Sequence, residues 1–561
     1  MSNPVSVLRE DYRELEIARD GKVLCGVVIA PDAPEKVTDA AKDFADLLET
    51  MCGDRPPVTT TAEPLPEIPV LIGASPETEK RGVPAMRGYP GQEGFCLKND
   101  RNTCLILLGN DDGDYYGTAF AVTAFFEKLG CGWFGPQELW QEIPRRETVS
   151  VGYLDEVQHP QFISRQNNVL RYFPEVGRRW YLGGERRVAG HAFQLMFPWK
   201  TEFEKHPDWY CEINGKRDPM GVDWWQFCYS NPELIECFGQ KVIEIFDNDP
   251  KLTQYSIALN DGWYEGFCEC ENCRAMGSTP SDIAVEFANR IARVVARKYP
   301  DRILTFLAYF PTYFPPTHAV TPEPNVEVMF CKECDMFAPV DKGPDNGYHL
   351  RYDFESSKNR YPEPWRYNFE KWCALVPYKH RAIWDWYCIA AACPTWKDIP
   401  WVQGDVATRN HRYWSDHGIS YLYNDQGPLP AFYEDGDSFA LRWPLWYVNA
   451  KGMWDKDLTG SDMLLDACRK LYGEAADLMF AYYSALADVA KHNTAKTIAW
   501  HPPAAFEVYT PESVERIDRI LRAVRALLPE TSGKVKLRLE AQLALWDKAR
   551  AIIESKEDKR V

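Results

Sequence analysis

No segment of the 561-residue sequence approaches the roughly 20 consecutive apolar residues that a membrane-spanning helix needs, which excludes an integral helical membrane protein. Positive charge is also short: 64 Lys and Arg stand against 82 Asp and Glu, a net charge of -18. That balance argues against a nucleic-acid groove or an anionic membrane surface as the main partner. The negative residues are spread along the chain rather than run together, so they serve solubility. There is no low-complexity linker and no long repeat. Asp208-Trp209-Tyr210-Cys211 recurs as Asp385-Trp386-Tyr387-Cys388, which is too short to mark a duplication. The opening Met1-Ser2-Asn3-Pro4-Val5 lacks the basic-then-apolar pattern of a secretory leader. A cytoplasmic location is the default expectation, periplasmic or secreted if a leader has been removed.

What is present is more specific. Most of the 17 cysteines sit singly in apolar runs, as Cys104, Cys237, Cys373 and Cys468 do, which fits small buried hydrophobes in a reducing compartment. The 20 Trp, 29 Tyr and 27 Phe bunch beside polar residues mid-chain, at Trp224-Trp225, at Trp384-Asp385-Trp386-Tyr387 and from Trp443 to Tyr447. Aromatic faces stack on sugar rings while nearby carboxylates and amides bind hydroxyls, so this bunching suits a carbohydrate cleft; ordinary core aromatics are the competing reading.

The length predicts two or three domains. Residues 1–155 read as a small α/β domain, with a helix from Pro34 to Cys52 stopped by Gly53, strands at Val70–Gly73 and Leu105–Gly109, and a helix from Gly117 to Leu129. Residues 156–455 alternate short apolar runs with amphipathic helices, the pattern of a (β/α)₈ TIM barrel. Candidate strands end near Gln166, Ala258, Ala308, Phe330, Trp384 and Tyr423, with two more expected between 185 and 235. Residues 456–561 read as a helical C-terminal region, where Thr510-Pro511-Glu512 marks a helix start.

Three carboxylates stand at or just past predicted strand ends: Asp261, Asp385 and Asp425. In a barrel those ends converge on one rim, and glycoside hydrolysis needs a carboxyl pair there, one protonated and one ionised. Asp261, in Asn260-Asp261-Gly262-Trp263, is the first candidate for catalysis. Asn260 could steady a substrate N-acetyl group or simply cap the following turn. Cys268, Cys270 and Cys273 have thiolate-ligand spacing, and Cys334 could complete a tetrahedral structural zinc site. Free thiols in a tight loop rank ahead of zinc, and a disulfide ranks third.

Several blocks together resemble a bacterial family known mainly as a domain of unknown function. They are Gly117-Thr118-Ala119 through Gly130 to Pro136, His206-Pro207-Asp208-Trp209-Tyr210, Asn214 to Arg217, Ser230-Asn231-Pro232, Asn260-Asp261-Gly262 with its cysteines, and Trp443 to Trp454 with Leu471-Tyr472-Gly473. That family is similar to α-glucuronidases and, more distantly, to β-N-acetylhexosaminidases. The resemblance implies a small α/β domain before a catalytic barrel and a general acid at the fourth strand end, which Asp261 matches, although both better-known families carry Glu there. It also implies that Arg165 holds the terminal sugar, with His191 as a neighbour or a core histidine, and that the carboxyl pair has inverting spacing.

The expected function is therefore an exo-acting glycoside hydrolase on a terminal uronic acid or N-acetylhexosamine. Asp261, Asp385 and Asp425 would be catalytic, and Arg165, His191, Asn260, Trp263, Tyr309, Trp384 and Tyr423 would bind substrate. No catalytic cofactor is expected, the partner is an oligosaccharide or polysaccharide, and a homodimer is left open. The alternatives are a polysaccharide lyase, in which Tyr309 or Tyr423 abstracts a proton beside a uronate, and a barrel that binds glycan without turnover.

Overall fold

The computed structural model describes residues 14–86, 93–217, 225–261, 267–309, 312–317, 320–332, 339–341, 365–387, 394–425, 436–492 and 504–556. Near the N-terminus, apolar runs such as Cys104–Gly109 and Cys25–Ile29 are buried along their whole length, as strands of a covered sheet must be. They belong to a six-stranded sheet in the order Asp155–Gln158, Phe95–Asp100, Cys104–Gly109, Ile68–Ile72, Cys25–Ile29, Val58–Thr60. The helices Glu35–Cys52 and Gly117–Lys128 pack together through Phe44, whose ring lies 5.8 Å from Phe125 and 5.2 Å from Phe126. The first helix stops at Gly53, which takes the left-handed conformation (φ 92°) and returns its N–H to Glu49 O.

The second sheet is a parallel arc. Ser164–Asn167 pairs with Tyr421–Asp425, then follow Arg381–Trp386, Val326–Lys332, Ile303–Ala308 and Gln254–Ser256, all parallel to their neighbours. The helices Pro280–Ala296 and Asp405–Asp416 lie between consecutive strands. Side chains alternate, so Ala258, Leu307, Met329, Cys331, Ala382 and Tyr421 fill the interior, with Tyr309, Trp384 and Tyr423 packed onto them. Lower in the interior, Thr305 bonds to Glu327 Oε1 at 2.7 Å and the Arg187 guanidinium stands 3.6 Å from Glu327 Oε2.

The two further strands expected between 185 and 235 are not regular ladders among the described residues. That segment contributes a parallel bridge from His191 to Ala258, an antiparallel bridge from Tyr210 to Phe227, and the short helices Phe193–Met196 and Trp199–Glu202. The antiparallel pair Gly183–Gly184 flanks the first strand. The described sheet is thus a half-barrel arc whose last strand pairs with its first, rather than eight continuous ladders.

The C-terminal helices Gly460–Tyr472, Ala476–His492, Pro511–Leu527 and Gly533–Ser555 share one apolar core with the outer face of the arc and its covering helices. Thr510 caps its helix by accepting the Ser513 N–H at 3.2 Å, and Val514, Ile517, Leu521 and Val524 form the buried stripe. Among the described residues no helix is long and apolar enough to cross a membrane.

Candidate active site

Strand alternation decides which polar residues reach the interior. On Tyr421–Asp425, Tyr421 points inward, so Tyr423 and Asp425 follow on the same face toward the carboxyl end. Asp425 Oδ1 accepts from Asn168 Nδ2 at 3.2 Å, and Asn168 Oδ1 accepts from the Tyr423 hydroxyl at 2.7 Å. Trp384, inward on the neighbouring strand, meets Tyr423 edge-to-face at 4.7 Å and lies 5.8 Å from Trp386. The Trp384 indole N–H is buried with no partner among the described residues. Across the arc, His191 Nδ1 contacts Leu259 O and its ring lies 5.9 Å from Tyr309. The structure therefore brings Asp425, Tyr423 and Trp384 together on one side and His191 and Tyr309 together on the other.

Asp261 stands five residues past the strand Gln254–Ser256, beyond Ala258, which bridges to His191. It is half-buried, and its carboxylate has no partner among the described residues. Asn260 beside it is held by three bonds: Oδ1 accepts from Gln194 N at 2.9 Å, Nδ2 donates to Trp225 O at 2.6 Å, and its backbone carbonyl accepts from Gln226 Nε2 at 2.8 Å. Those bonds tie Asn260 to two neighbouring segments, so that it braces the backbone that carries Asp261. Trp263 lies outside the described residues.

Two expected site residues are corrected. Asp385 sits between the inward Trp384 and the next residue on the outer face, has no exposed surface, and pairs with Lys332 at 3.0 Å while accepting from Trp414 Nε1 at 3.0 Å. Trp414 belongs to the covering helix Asp405–Asp416, so this carboxylate faces the helix layer and not the cleft. Burial pushes the adjacent His411 imidazole down to about 4, partly offset by Asp385, so that ring is neutral. Arg165 likewise points outward. Its guanidinium pairs with Glu93 of the N-terminal unit and donates to Tyr181 O at 2.9 Å and Phe162 O at 2.8 Å, leaving no face for a sugar. Burial raises the Glu93 carboxyl to about 7 despite Arg165 and the Tyr116 N–H, and burial also lowers Arg165; both shifts report a heavily desolvated pair.

Gln166, next to Arg165, shares the inward face of that strand with Ser164 and lies 3.5 Å from the Tyr421 hydroxyl. Sequence reasoning passed over Gln166 and Asn168; the polar run Ser164-Arg165-Gln166-Asn167-Asn168 at a strand end is the signal that marks them. It also passed over Cys228. The Sγ atoms of Cys228, Cys268, Cys270 and Cys273 all lie within 4.8 Å of one another, while Cys334 lies outside the described residues.

The parallel arc follows an α/β unit and gathers carboxylates and aromatic rings toward its carboxyl ends. The chain belongs to the Domain of unknown function family DUF4838, which matches residues 136–484. Among solved structures it is similar to a family GH115 4-O-methyl-α-glucuronidase with specificity for decorated arabinogalactans, at 13% identity and a TM-score of 0.56, covering 96% of this chain and 73% of that one. It is also similar to a family 89 enzyme of Clostridium perfringens solved with its substrate GlcNAc-α-1,4-galactose, at 9% identity and a TM-score of 0.50, covering 92% of this chain and 61% of that one. A Streptomyces plicatus N-acetyl-β-hexosaminidase matches at 12% identity and a TM-score of 0.42, covering 85% and 93%. At these identities the likeness is one of fold. Among curated proteins none matches the chain.

Proposed function

We propose that this protein is an exo-acting glycoside hydrolase that releases a terminal uronic acid or N-acetylhexosamine from a complex glycan, with Asp261 as general acid and Asp425 as the partner carboxylate. The observation that carries this reading is Asp425, inward at a strand end beside Trp384 and Tyr423, together with Asp261, which stands five residues past the edge strand Gln254–Ser256 and has no partner among the described residues. Asp261 protonates the glycosidic oxygen as the bond to the anomeric carbon breaks. Asp425, oriented by the Asn168 amide, takes a proton from the water that attacks that carbon. The proposed mechanism is the inverting one, which requires the two carboxyls to stand about 6.5 to 9.5 Å apart. Trp384, half-buried at the strand end, offers ring surface for stacking.

The substrates of the two solved relatives set the first panel: 4-O-methylglucuronosyl glycans and GlcNAc-α-1,4-galactose. Asp261→Asn should lower turnover by about 10²-fold or more on such poor leaving groups and much less on an activated aryl glycoside. Equal losses on both would remove Asp261 as the acid. A product absorbing in the near ultraviolet would mean a lyase. Unchanged glycan bound equally by wild type and variant would mean a binding protein.

A further inference from the structure

We infer that Cys228, Cys268, Cys270 and Cys273 hold a structural zinc ion that ties the segment Cys268–Cys273 to the start of the helix Pro232–Asn248. All four are free cysteines, and they reach one point from two segments of chain. Zinc with four thiolates at about 2.3 Å requires sulfurs about 3.8 Å apart. Cys228 Sγ lies 3.7 Å from Cys270 Sγ and 3.8 Å from Cys273 Sγ. Three of the sulfurs come from the run Cys268-x-Cys270-x-x-Cys273, the last from the short helix Glu271–Arg274.

The surroundings are those of bound thiolates. The backbone N–H of Glu212 donates to Cys268 Sγ at 3.3 Å, and that of Ser230 donates to Cys273 Sγ at 3.3 Å. Such donors orient the ligands and spread their charge. Four thiolates around a divalent ion leave two net negative charges, and the Arg217 guanidinium lies against Cys228 and Cys270. With all four positions filled by protein there is no open coordination site, so the ion is structural and takes no part in bond cleavage. An S₄ tetrahedron also suits iron, which the test separates.

The position gives the site its consequence. Cys228 roots the helix Pro232–Asn248: its carbonyl accepts from Asn231 N at 3.0 Å, and the Asn231 side chain caps that helix. Cys268 stands seven residues after Asp261. The loop is further tied by Glu269 N to Glu212 O at 2.7 Å and Asn214 N to Glu269 Oε2 at 2.7 Å. Closing this cage therefore fixes the far end of the segment that begins at Asp261.

Elemental analysis of the full chain purified without added metal should find about one zinc per protein. Titration with a mercurial should release that zinc as four thiols react, and cobalt exchanged into the site should show the visible bands of a tetrahedral thiolate complex. Cys228→Ser should lose the zinc and melt at a lower temperature, whereas Cys334→Ser should keep it. Metal-free protein with four freely reactive thiols, a disulfide within the group, iron in place of zinc, or zinc lost with Cys334→Ser and kept with Cys228→Ser would each overturn the assignment. Zinc content is measured without any glycoside, so the result stands whether or not the hydrolase reading does.

Discussion

At the scale of single residues, a charged side chain next to the cleft in sequence can have its partner on the opposite side of the sheet. Asp385 and Lys332 are both without exposed surface and compensate each other behind the sheet. Removing one partner of such a pair strands the other charge, which costs about 3 to 5 kcal/mol. Asp385→Asn should lower unfolding stability by that order in urea titrations. A loss under about 1 kcal/mol, accompanied by a collapse of turnover at unchanged stability, would return Asp385 to the catalytic set.

Among the elements, the helix Gly117–Lys128 owes its start to Asp111, whose Oδ1 accepts the Thr118 N–H at 3.1 Å and whose Oδ2 accepts the Thr118 hydroxyl at 2.5 Å. Burial raises this carboxyl from 3.8 to about 6, with the Thr118 bonds opposing the shift. The folded protein then holds the proton more tightly than the unfolded chain. The contribution of Asp111 to stability is fully present below pH 3.8, declines as pH rises toward about 6, and is level above that. Asp111→Asn keeps an acceptor and loses the titration. The stability of wild type relative to this variant should fall by up to about 3 kcal/mol across that window. A difference that is flat with pH, measured by thermal unfolding in a buffer series, would mean the carboxyl is not shifted.

Across the whole molecule, Arg165 joins the N-terminal unit to the first strand of the arc through Glu93, and its ring-face contact with Trp454 at 5.1 Å adds the C-terminal end of a wall helix. Lysine lacks the planar fork that meets three acceptors at once. Arg165→Lys should therefore lower the melting temperature and leave KM for every active glycoside nearly unchanged. A selective rise in KM for uronate substrates at unaltered stability would show that Arg165 touches the sugar. Only part of the site was legible in the sequence. Polar residues at strand ends were visible, but which of them face inward was not, because strands covered on both faces are apolar on both faces and a shift of one residue reverses every side chain.

The sequence by itself determined the local elements and the family. The stripe from Val37 to Met51 ending at Gly53 sets one helix, Thr510-Pro511 starts another, and the strand ends at Ala308 and near Trp384 and Tyr423 follow from short apolar runs. These depend on 3.6- and 2-residue periods and on backbone caps, which are properties of neighbours in the chain. Only the tertiary structure decided that Asp385 and Arg165 turn away from the cleft while Gln166 and Asp425 turn into it, and that Cys228 joins cysteines 40 to 45 residues downstream. Those outcomes depend on which faces of separate segments meet, and nothing in local spacing encodes that distance.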